Sequence, residues 1–136
     1  MQIRFVGLVV DDQAKALEFY TSILGFKAAV DEPAGEYRWI TVSAPDGAEG
    51  IELVLEPDTF PPAKTYQAAL RGAGIPATMF VSDDVDTEYV RLKSKGVKFT
   101  GEPQLAGNVK LAVFDDTCGN LIQIVQYIQQ HDSGPE

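Results

Sequence analysis

The chain has 136 residues, 45% hydrophobic and 23% charged, with a formal charge of −9. This is the make-up of one globular domain, long enough to bury roughly two-thirds of the surface its unfolded form exposes. A single cysteine, Cys118, excludes an internal disulfide, and no apolar run approaches the roughly 20 residues that span a bilayer. The start, Met1-Gln2-Ile3-Arg4-Phe5, lacks the basic-then-apolar profile of a secretion signal, so the expectation is a cytoplasmic protein with no membrane partner. An acidic balance without a basic stripe argues against nucleic acid as a partner and favours cationic small molecules at long range.

In chain order, Ile3 to Val10 is apolar and β-branched with one basic interruption, the pattern of a buried strand. Asp11-Asp12 offers an N-cap, Ala14, Leu17, Tyr20 and Leu24 follow at helical spacing, and Gly25 stops the helix. Phe26 to Val30, Tyr37 to Ser43 and Ile51 to Leu55 read as three further strands. The order then returns. Ala77 to Val81 predicts a strand, Asp83-Asp84 a cap, Val85, Tyr89 and Leu92 a helical stripe, and Gly96 a stop. Val97 to Thr100, Lys110 to Phe114 and Leu121 to Gln126 complete the set.

The two halves keep register. Gly25 and Gly96 lie 71 residues apart, as do Glu52 and Gln123. Before the helices the offset is 72, which one extra residue in the first helix or its cap produces. Such self-similarity predicts a single α+β domain of two βαβββ modules, because one module alone cannot bury both faces of its sheet. Module one spans 2–56, a connector 57–75 and module two 76–128, with a frayed tail at 129–136 that holds His131. The connector, with Pro57, Pro61, Pro62, Gly72 and Gly74, predicts a short helix at Tyr66 to Arg71 and is long enough to act as a lid.

Glu52 is the leading candidate for chemistry. It interrupts an apolar strand and shares a face with Val54 by alternation. An acid in an apolar cleft serves as a base or a ligand anchor; the competing reading is a solvated acid, or a structural one bonded to Gln123. Phe5, Trp39, Met79 and Phe114 are candidates to line an apolar pocket for a planar ligand, or else plain core. Cys118 has no cationic neighbour in sequence to activate it, so it reads as inert.

The ordered pieces Val10-Asp11-Asp12, Phe19-Tyr20, Leu24-Gly25-Phe26 and Ile51-Glu52-Leu53-Val54, with Asp83-Asp84-Val85-Asp86, Leu92 to Gly96 and Gly119-Asn120-Leu121-Ile122-Gln123, resemble the vicinal-oxygen-chelate superfamily. That superfamily includes glyoxalase I, bleomycin-resistance proteins, fosfomycin-resistance enzymes and extradiol dioxygenases. The resemblance implies a pair of half-barrels around one cavity, and a homodimer. It also implies that metal-dependent members draw one ligand from each of four strands, at positions that fall here on Phe5, Glu52, Ala77 and Gln123. Only Glu52 is a good ligand type, and a catalytic zinc needs about three nitrogen, thiolate or carboxylate donors. The expectation is therefore no cofactor, no metal, and a small organic ligand bound among Phe5, Trp39, Glu52, Ala77, Met79, Phe114 and Gln123. Two alternatives stay open: a metal-independent lyase or isomerase using Glu52 as acid or base, and a metal-dependent glyoxalase or dioxygenase with other ligands.

Overall fold

A computed structural model describes residues 1–128. Module one runs β1 (Phe5–Val10), α1 (Gln13–Glu18), a π-helical turn (Phe19–Ile23), β2 (Lys27–Ala34), β3 (Tyr37–Ser43) and β4 (Glu52–Pro57). Helix α2 (Pro61–Gly72) leads to module two: β5 (Thr78–Val81), α3 (Val85–Ser94), β6 (Gln104–Ala106), β7 (Val109–Asp115) and β8 (Leu121–Tyr127). The sheet orders are β1-β4-β3-β2 and β5-β8-β7-β6, and the first strand of each module lies parallel to its last. This is the expected α+β pair of βαβββ modules. The expected tail and its His131 fall outside the described residues.

Local chemistry sets the helix ends. Asp12 accepts from Lys15 N at 3.0 Å and Asp84 from Thr87 N at 3.1 Å, each satisfying an amide the first turn leaves free. Gly25 (φ +92°) and Gly96 (φ +90°) take the left-handed conformation that ends a helix at little steric cost. The extra residue that separates the 72 and 71 offsets is visible as the π-helical turn, where Leu24 N donates to Phe19 O five residues back at 3.1 Å. Phe19 and Tyr20 within that turn are both buried.

One core serves both modules. Leu8, Val10, Ile40, Val42 and Leu55 of the first sheet join Ala112, Phe114, Ile122 and Ile124 of the second, together with Ala16, Phe19, Tyr20, Val85 and Leu92 from the helices. A buried polar junction ties the halves. The Tyr20 hydroxyl donates to Asp116 Oδ2 at 2.5 Å, and the same carboxylate accepts from Cys118 N (2.7 Å), Asn120 N (3.0 Å) and Asn120 Nδ2 (2.9 Å). Gln67 of α2 donates to Val9 O at 2.9 Å, Cys118 O at 3.2 Å and Asn120 Oδ1 at 3.1 Å.

Three local expectations are corrected. The connector helix is twelve residues, not six, because Pro61 and Pro62 fall in the first turn, where a missing N–H costs nothing. With Gln67 anchored at the junction, α2 does not act as a lid. Val97 to Thr100 is not a full strand: it makes a single bridge, Phe99 to Phe114, with Thr100 N bonded to Val113 O at 2.9 Å. Gly101 and Pro103 interrupt the pairing, which resumes at Gln104.

Candidate functional site

The first sheet has two unlike faces, and its ladder assigns residues to each. In the parallel β1–β4 pair Phe5 lies opposite Glu52, Gly7 opposite Val54 and Val9 opposite Glu56. In the antiparallel pairs Thr41 lies opposite Val54, Val30 opposite Thr41 and Glu32 opposite Trp39. Residues opposite each other share a face. Phe5, Gly7, Trp39, Thr41, Glu52, Val54, Glu56, Val30 and Glu32 therefore share the face turned away from the core, while Leu8, Val10, Ile40, Val42 and Leu55 turn into it.

That outward face is aromatic and acidic. Phe5 (57% exposed) and Trp39 (39% exposed) meet edge to face, with ring centroids 5.6 Å apart. Glu52 is half-buried, and its Oε1 accepts from the hydroxyl of fully buried Thr41 at 2.7 Å. Gly7 leaves room for Glu56: a Cβ at residue 7 would lie 2.8 Å from Glu56 Oε2. Beyond Thr41 and Val42, β3 and β4 separate. The Gln13 side chain fills the gap, donating to Arg38 O (2.6 Å) and Leu55 O (2.9 Å) and accepting from Arg38 N (3.2 Å). This wedge restores the lost ladder bonds beside Trp39.

A cavity of about 290 Å³ opens where the first sheet, residues 44–51 and β5 meet. Its wall includes Val6, Phe26, Val42, Leu53 and Phe80, with Glu52 and Met79 among its polar and flexible members. No residue of the connector lines it.

The expected site residues separate into four places. Glu52 and Met79 meet at this cavity. Phe5 and Trp39 flank Glu52 on the outward face. Gln123 belongs to the second sheet, where its Nε2 lies 3.9 Å from Met79 Sδ. The module-two register is shifted by two residues from the expected one: Met79, not Ala77, lies opposite Gln123. Ala77 packs against the core, and its N donates to Leu121 O at 2.8 Å. Phe114 is fully buried between Phe19 and Phe99 and lines no exposed face; it sits one position along β7 from the outward-facing residues, and alternation turns it inward. Glu52 is bonded to Thr41 and makes no hydrogen bond to Gln123 among the described contacts. Sequence reasoning missed Thr41, Glu56, Gly7 and Gln13. Glu56 was accessible by alternation from Glu52, and Gly7 by its place inside an apolar strand.

As a metal site the constellation does not fit. The positions drawn from the resemblance offer a phenyl ring, one carboxylate already engaged by Thr41, an amide, and a methyl or a thioether. Among the described residues no three His, Cys, Asp or Glu side chains converge, whereas a catalytic zinc takes about three such donors. Cys118 is not a nucleophile here: it is fully buried, and burial, reinforced by the Asp116 carboxylate, pushes its thiol up to about 12.

Paired βαβββ modules with an exposed sheet face and an inter-module cavity define the glyoxalase-like class of folds. The chain belongs to the Glyoxalase/Bleomycin resistance protein/Dioxygenase superfamily, whose family model matches residues 2–124. It is 56% identical over 126 residues to the uncharacterized protein YurT of Bacillus subtilis strain 168, covering 93% of this chain and 99% of that one. Among solved structures it resembles UcmS2 (TM-score 0.79, 29% identity, 92% of this chain and 97% of that one). It also resembles TnmS3, an antibiotic binding protein from Streptomyces sp. CB03234 (TM-score 0.74, 28% identity, 93% and 96%).

Proposed function

We propose that this chain is a cytoplasmic homodimer that binds a small organic molecule on the outward face of its first sheet, without a metal ion. The observation that carries the reading is the Phe5–Trp39 pair, left exposed beside a half-buried carboxylate. Large aromatic side chains on a sheet face are costly to leave in water and supply most of the contact energy in ligand pockets. Similarity to an antibiotic binding protein supports the same reading, and the donor set at the four strand positions supports binding without an ion. Homodimerisation is supported by the second sheet, where Met79 (58%), Val81 (67%) and Tyr127 (61%) are exposed on one chain and a second copy would cover them. No helix among the described residues is long and apolar enough to cross a membrane.

Trp39 is the sole tryptophan, so its emission reports on the site. A thermal-shift screen of antibiotics and aromatic acids should yield ligands that raise the unfolding midpoint by mass action and perturb Trp39 emission. Phe5→Ala should weaken every such ligand. Ligands that bind equally well to Phe5→Ala and leave Trp39 emission unchanged would place binding elsewhere. A stoichiometric divalent ion retained through gel filtration would contradict the metal-free part.

A second reading is a metal-independent lyase or isomerase. It is favoured by one detail: Thr41 holds Oε1 of Glu52, so the carboxylate is oriented at the cavity rim as an acid or base needs to be. Glu52→Gln preserves an acceptor for Thr41 and should abolish turnover while leaving ligand binding largely intact.

A further inference from the structure

We infer that the ligand taken by this face is a planar aromatic cation, its ring laid on the Phe5–Trp39 pair and its ammonium or amidinium group turned toward Glu52 and Glu56. The inference rests on reading this face as the ligand wall, and it adds the chemical class. Three observations converge on it.

The ladder places Glu32, Glu52 and Glu56 on the same face as the two rings. Among the described residues none of the three carboxylates has an ion-pair partner within 4.0 Å. The nearby cations do not pair with these carboxylates. Arg38 follows Tyr37 and precedes Trp39 in β3, but it turns to the other side and binds Asp31 at 3.1 and 2.7 Å. Arg4 donates to Gly50 O at 3.1 Å, and Lys27, on the acidic face, sits opposite Ser43, two strands from Glu52, and makes no ion pair with it within 4.0 Å.

Charge complementarity then selects the occupant. An anionic ligand would meet three uncompensated carboxylates. A neutral ring would cover half-buried Glu52 and remove water from it with nothing in return. A cation repays that desolvation and gains a second attraction, because the negative faces of Trp39 and Phe5 favour a positive group within about 6 Å of the ring. Gly7 completes the arrangement: its missing side chain lets the Glu56 carboxylate lie over β1, on the aromatic side of the strand.

The test uses three ligands that share one ring system and one methylene spacer and differ in charge: 1-pyrenemethylammonium, 1-pyrenemethanol and 1-pyreneacetate, each titrated against the full chain with loss of Trp39 emission as the readout. The ammonium should bind about tenfold tighter than the alcohol, and the carboxylate more weakly than either. Raising the salt from 50 to 500 mM should erode that preference, since exposed charge pairs are screened. The double substitution Glu52→Gln with Glu56→Gln should bring the ammonium and alcohol together, weakening the ammonium while the alcohol binds at least as well as before, because it no longer strips water from a charged Glu52; Gln at 52 still accepts from Thr41, so the fold is kept. Phe5→Ala should weaken all three alike. Equal affinities for the three ligands in the unmodified chain, or a preference that survives the double substitution, would overturn the cationic class while leaving the face a ligand wall. Failure of all three to quench Trp39 would overturn both readings.

Discussion

At the scale of single residues, the strongest constraint is Asp116, a fully buried carboxylate whose two oxygens accept from Tyr20, Cys118 and Asn120. Tyr20→Phe removes one charge-assisted bond and keeps the ring, so it should cost about 2 kcal/mol in a urea titration. A loss below about 0.5 kcal/mol would mean the bond is not formed in solution. The same neighbourhood fixes the response to alkali. Burial, with Asp116 beside it, raises the Tyr20 phenol well above its usual value, and burial pushes the Cys118 thiol from 9.0 up to about 12. Both groups hold protons more tightly when folded. The unfolded chain therefore releases them first as pH rises, so stability is complete below about pH 9 and is lost between pH 9 and 12. Cys118→Ala should lose less stability than the unmodified chain between pH 7.5 and 10.5 in paired urea titrations; parallel losses would contradict this account. Of this chemistry the sequence revealed the inertness of Cys118. The partners Thr41 and Asp116 were invisible, because long-range hydrogen bonds leave no local pattern.

At the scale of elements, the offset between modules was legible as arithmetic and turned out to be a π-helical turn. The pairing register of module two was not legible. Shifting a parallel strand by two residues preserves its inward and outward faces, so the apolar pattern fits Ala77 or Met79 opposite Gln123 equally well. Interruption by Gly101 and Pro103 explains why Val97 to Thr100 supplies only a bridge, and first-turn prolines explain why α2 outran its expected length. Helix α2 works as a brace through two residues: Gln67 at the buried junction, and Arg71, which donates to Asp115 Oδ2 at 2.6 Å. Gln67→Ala removes the bonds to Val9 O, Cys118 O and Asn120 Oδ1, while Val9 O keeps Asn120 Nδ2 and Cys118 O keeps Asp11 N, so it should cost about 1–2 kcal/mol. Gly119→Ala strikes the same contact from the other side: the residue has φ +99°, and a Cβ there would lie 2.7 Å from Gln67 Nε2, so it should destabilise by about 2 kcal/mol. Gly7→Ala offers a contrast. The three atoms nearest its Cβ all belong to the movable end of Glu56, so stability should change by less than about 1 kcal/mol while ligand affinity falls. An equal loss of stability at residues 7 and 119 would contradict the distinction between backbone strain and a displaced side chain.

At the scale of the whole molecule, the paired-module plan followed from self-similarity, whereas the division of labour between sheet faces needed the ladder. The two modules share their core on the helix side, so each outward face is free for another purpose. Sedimentation equilibrium should give a mass near twice the 14.8 kDa of one chain, and Val81→Glu on the exposed second face should shift it toward the monomer. A monomer at all concentrations would remove the dimer from the account and leave the first face to act alone. The central claim is that side chains of this face, and no ion, hold the ligand. The most direct measurement is the ligand-induced rise in unfolding midpoint for a compound that quenches Trp39, recorded in excess EDTA and again with added zinc or manganese. The same rise in all three conditions is the predicted result. A rise abolished by EDTA and restored by the ion would contradict the claim.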